Sequence, residues 1–158
     1  MAAEQGLNVI FISRQPENLR EEDYEIIANS AQKTRQEIEN WIQGQKQRCE
    51  NLADRISSIE WTEDWQKQYG YEYKDLPRKI VEKEAGVVIP TVRWGAESQP
   101  HSLVIKEFRD KRVFFNNPNM EKRTDMNEDE FYRLWIDTAT TDNDLLIISR
   151  DKIDLHNI

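Results

Sequence analysis

Cysteine is almost absent from this chain: Cys49 stands alone in 158 residues, and there are only two histidines. A lone thiol closes no intrachain disulfide, so nothing argues for an oxidised, secreted setting, and a reducing cytoplasm is the expected location. No Cys/His pair has zinc-site spacing, and no metal or cofactor is expected. Long apolar runs are missing too. The one in the opening MAAEQGLNVIFIS has no basic region before it and is too short for a signal peptide or a membrane span, so it reads as mature protein. Basic residues are outnumbered, 22 against 30 acidic, leaving a net charge of −8 that repels phosphate backbones and anionic lipid. Neither nucleic acid nor membrane is an expected partner. Glycine and proline are scarce at five each beside 37% hydrophobic and 33% charged residues, a globular but polar composition typical of chains with long helices. The length suits one domain, residues 1–158, with a core that needs no metal or crosslink.

Val9 to Ile12 is a β-branched and aromatic run that reads as a strand. After the loop RQPENLREED, Glu21, Glu22 and Asp23 put the favoured negative charge in the first turn of a helix. From there to Ile59 no proline intervenes. Ile38, Ile42, Gln45, Cys49, Leu52, Ile56 and Ile59 recur at three- and four-residue steps, which predicts either one long helix or two helices meeting near Gly44. The same stripe places Cys49 as a small buried hydrophobe, and it also allows a dimerising coiled coil over residues 21–59.

Thr62 is expected to cap a short helical turn closed by Gly70, with Trp61 and Trp65 at a core edge. Asp75 and Pro77 open a further helix that Gly86 stops. Then come three strands: Val87–Trp94, placed at an edge or bulged because Pro90 lacks a ladder donor; Ser102–Arg109; and Arg112–Asn116. Asn127 and Glu130 suggest a capping box before a helix carrying Phe131, Leu134 and Trp135, and DLLIISR is the last strand. Its likeness to the first strand predicts that the two pair or stack in one sheet. The spacing of Asp125, Asn127 and Asp129 imitates a calcium loop, but Glu130 stands where that loop needs glycine.

The order GVVIPTV, HSLVIKEF, RVFFNNP and EDEFYRLW resembles the papain-like cysteine peptidases of the bacteriocin-processing type, over roughly residues 76 to 148. These are the peptidase domains of double-glycine-leader exporters and their stand-alone relatives. The resemblance implies an α+β, papain-like fold in which an N-terminal long helix or helix pair packs on an antiparallel β-sheet. It puts His101 on the general base and Asn117 on the residue that orients it. A thiol becomes a nucleophile through such an imidazole, and the imidazole needs an acceptor behind it to fix its tautomer. The family's helix-start cysteine is missing, because Glu21, Glu22 and Asp23 stand there.

The expectation is therefore a degenerate, non-catalytic module that binds a peptide or protein partner through Pro90, Trp94, Gly95 and Gln99, as a monomer or weak homodimer. Two alternatives stay open: an active peptidase or amidase using Cys49 with His101 and Asn117, and a helical module dimerising through residues 21–59. Backbone geometry decides whether the histidine and asparagine meet. With a two-residue turn at Asp110-Lys111, Asn117 faces Val104, and His101 lies three residues farther on, about 10 Å away on the opposite face. A three-residue turn, or a bulge beside His101, brings them to one face.

Overall fold

The structure, a computed structural model, describes residues 2–14, 21–94, 99–118, 123–136 and 143–158, without the side chains of 21–23, 26, 30 and 99. These residues form a mixed α+β fold with one eight-stranded sheet and five α-helices. Strands β1 (Asn8–Ser13), β2 (Ile56–Glu60), β3 (Val87–Trp94), β5 (Val104–Arg109), β6 (Arg112–Asn116), β7 (Asp125–Asn127) and β8 (Leu145–Ser149) lie in the order β2-β1-β8-β3-β5-β6-β7, and β4 (Gln99–Ser102) pairs with β3. The terminal strands β1 and β8 pair antiparallel, as their similar apolar runs suggest. The sheet is not wholly antiparallel, because β1 and β2 run parallel.

Helices α4 (Leu76–Glu82) and α5 (Glu128–Trp135) cover one face of the sheet. Alternation along each strand sends Ile12, Val88, Val92, Leu103, Phe115, Leu145 and Ile147 to that face, where they pack with Leu76, Ile80, Phe131 and Trp135. Helices α1 (Glu21–Ala31) and α2 (Arg35–Glu50) pack on each other around a smaller cluster of Ala28, Ile38 and Ile42.

The break between these two helices falls at Gln32–Thr34 and not at Gly44, which sits inside α2. Gln32 takes a left-handed φ of 52°, and Thr34 and Glu37 close a reciprocal capping box that starts α2. Helix α2 ends at Glu50, so Ile56 and Ile59 belong to β2, where pairing with β1 overrides the helical spacing. Cys49, near the end of α2, is half-exposed and lies outside both clusters. Helix α3 (Trp65–Tyr69) closes at Gly70 as expected, with no side-chain cap. At α5, Asn127 accepts from the Asp129 N–H, and Glu130 pairs with Arg123 in place of a capping box.

Strand β3 is interior, with β8 on one side and β4 and β5 on the other. Pro90 is tolerated there because of where its missing donor points. Val88 pairs with Ile105 and Thr91 with Ser102 in one unbroken register, so Pro90 stands opposite Leu103. The Leu103 N–H bonds to the Pro90 carbonyl at 3.2 Å, and the return bond is the one a proline cannot make. There the long strand divides into β4 and β5. Gly86 does not stop a helix: a Cβ on it would stand 2.8 Å from the Ile148 carbonyl oxygen, so it serves the close approach of two backbones.

Candidate functional site: a histidine and asparagine pair beside Trp94

Asp110 and Lys111 both adopt left-handed φ, 51° and 58°, and form a two-residue primed turn without glycine. That turn alone would put Asn117 opposite Val104 and separate it from His101. It does not, because the β5–β6 register slips by one residue between Ile105 and Glu107. The slip is a β-bulge at Lys106, five residues from His101. Beyond it Val104 pairs with Asn116, and Asn117 therefore stands level with Leu103, one diagonal step from His101. Pro118 holds Asn117 extended, so its side chain continues the inward face of Val113 and Phe115.

The outcome is a hydrogen bond of 2.8 Å between His101 Nε2 and Asn117 Oδ1. An amide oxygen only accepts, so Nε2 donates, and in the ring's neutral form the lone pair is on Nδ1. Trp94, at the end of β3, packs against this ring with centroids 5.5 Å apart and meets Phe115 edge-on at 5.8 Å. The Arg123 guanidinium lies over Trp94 at 5.6 Å and is held by Glu130. His101, Trp94 and Asn117 are each half-buried over the fully buried Phe115. The pair thus sits where the core face reaches the end of the sheet.

Of the residues singled out from sequence, His101, Asn117 and Trp94 come together. Pro90 lies within β3 and is covered on both sides by strands, so it offers no edge to a peptide. Gly95 and the Gln99 side chain lie outside the described residues. Cys49 is on α2, which packs on α1, and it belongs to neither core cluster. Arg123 and Phe115 were missed. Phe115 was legible in the alternation of RVFFN, whereas Arg123 sits in a polar stretch with no motif.

Among the described residues, no group of three or more His, Cys, Asp or Glu is placed to hold a metal ion, and no helix is long and apolar enough to cross a membrane. A cavity of about 940 Å³ opens at the other end of β3, beside Val87, Val104, Ile148 and Ile158, and does not include the pair. No family model, no curated protein and no solved structure matches this chain.

Proposed function

We propose that this is a papain-like domain that keeps the histidine and its orienting asparagine, has lost the nucleophile, and binds an extended peptide segment beside the pair. The observation that carries this reading is the 2.8 Å bond from His101 Nε2 to Asn117 Oδ1. It is the arrangement a general base needs, and the chain's one cysteine lies elsewhere, on α2, which packs on α1. The order of elements supports the same lineage, with a helix and glycine leading to β3, the histidine on β4, an Asn-Pro at the end of β6, and Phe131 and Trp135 on α5. Among the described residues β4 pairs with β3 alone, and the strand end beside the pair replaces Pro90 as the proposed contact surface.

Two measurements test the proposal. A peptidyl epoxide that alkylates activated thiols is expected to give no His101-dependent labelling; labelling of Cys49 that vanishes in His101→Ala would overturn the non-catalytic reading. A synthetic acetylated peptide ending in Gly-Gly is expected to shift the Trp94 indole and the His101 ring saturably in nitrogen-15 NMR spectra, and Trp94→Ala is expected to abolish that binding. Saturation with neither signal moving would reject the site.

A further inference from the structure

We propose a second docking surface, independent of the histidine pair: the outer edge of β2 and the adjoining tryptophan cavity take an extended peptide carrying arginine or lysine. The backbone directions come first. The Val9 N–H bonds to the Arg55 carbonyl at 2.7 Å, and the Trp61 N–H bonds to the Ser13 carbonyl at 2.8 Å. In a parallel ladder alternate residues bond to opposite sides, so Arg55, Ser57, Ile59 and Trp61 serve β1. Ser58 and Glu60 therefore turn both N–H and C=O outward, and Ile56 turns its carbonyl outward while its N–H bonds to Leu52 at 2.9 Å. Among the described residues no strand lies beyond β2. The other end of the sheet differs, since β7 has three residues and its Asp125 is held by Arg112.

The edge leads directly into a cavity. Trp61 follows Glu60, and with Trp65, Tyr73, Glu63, Glu72 and Ile136 it lines a space of about 210 Å³. The indole N–H groups of Trp61 and Trp65 have no hydrogen-bond partner among the described residues, although Trp65 is only 2% exposed. Both N–H groups are themselves buried, so they report on an occupant of the cavity by proximity and not by bonding to it. The cavity's preference for cations follows from its rings and acids. The Arg14 guanidinium already lies 4.5 Å from the Trp61 ring centroid, so this ring takes a cation. Glu60 and Glu63 are exposed acids along the path, Glu72 pairs with Lys74 in the cavity lining, and the whole chain carries −8. Main-chain pairing along β2 supplies affinity, and the cavity selects one cationic side chain.

The probes are two acetylated, amidated heptapeptides of alternating threonine and valine, one with a central arginine and one with a central glutamate. The arginine peptide is expected to shift the Ser58 and Glu60 amides and the Trp61 and Trp65 indoles saturably, binding at least about tenfold tighter than the glutamate peptide. Ser58→Pro removes an outward donor that no strand uses, so the fold is retained and affinity for the arginine peptide falls about tenfold or more. Glu63→Arg, an exposed change, is expected to weaken the arginine peptide alone. No saturable shifts, shifts confined to Trp94 and His101, or undiminished binding in both variants would overturn the proposal. Because the two surfaces report on different tryptophans, failure of one is distinguishable from failure of the other.

Discussion

Apart from the left-handed Gln32 at its turn, the α1–α2 hairpin follows local rules, whereas the sheet from β3 to β6 is built on several departures from them. The hairpin has a capping box at Thr34, an Arg35–Glu39 pair one turn apart, and a cluster of only Ala28, Ile38 and Ile42. The sheet has a proline in an interior strand, a primed turn without glycine, a bulge at Lys106, and Gly86 pressed on a carbonyl. Each departure costs local stability, and Pro90, the turn and the bulge all act on the strands that carry His101 and Asn117. Left-handed Glu84 and Asn143 lie outside this group, so departures from local rules follow the sheet's connections as well as the pair.

The two glycines offer the sharpest way to break that comparison. Gly86→Ala drives a methyl group against the Ile148 carbonyl, which is backbone and cannot swing aside, so unfolding in urea is expected to show a loss of about 1–3 kcal/mol. Gly44→Ala meets nothing within 4 Å and improves helix propensity, so it should stabilise α2 by about 0.5–1 kcal/mol. Equal effects of the two would erase the distinction between the regions.

A smaller effect separates them by pH. Glu37 is held below its ordinary carboxylate range by the Thr34 backbone N–H and then by the Thr34 hydroxyl. A depressed folded value means that this contribution is present above the unfolded value, about 4.3, and is lost as pH falls through the folded one. Burial pushes the Tyr73 hydroxyl well above its ordinary value, and nearby Asp144 adds to the rise. That contribution is complete below the unfolded value, about 10, and is lost as pH climbs beyond it. Acid should therefore lower the amide protection factors at the start of α2, measured against the intrinsic exchange rate at each pH, while near-ultraviolet dichroism of the aromatic core holds. Alkali should degrade that core signal.

Legibility in the sequence divides along the same line. Strands β1, β6 and β8 and helix α5 were readable because alternation and apolar faces act locally. The capping box Thr34–Glu37 stands in the sequence as T-x-x-E but was missed, because the stripe through Ile38, Ile42 and Cys49 predicted the break near Gly44. Ile56 and Ile59 sit three apart, which suits a helix turn as well as a strand, and only pairing with β1 decides between them. The interior place of β3 depends on β8, more than fifty residues away. As for the site, the resemblance carried by the order of segments implied His101 and Asn117, and Trp94 lay in the segment expected to contact a peptide. The bulge that lets the first two meet leaves no mark in HSLVIKEFRDKRVFF, because which residue bulges is settled between strands and not within one.

The account stands most directly on the tautomer of His101, read from the ring nitrogens by long-range nitrogen-15 NMR. It predicts that the neutral form of the ring carries its proton on Nε2, and a shift toward mixed tautomers in Asn117→Ala. A proton on Nδ1, or a spectrum that Asn117→Ala leaves unchanged, would contradict it.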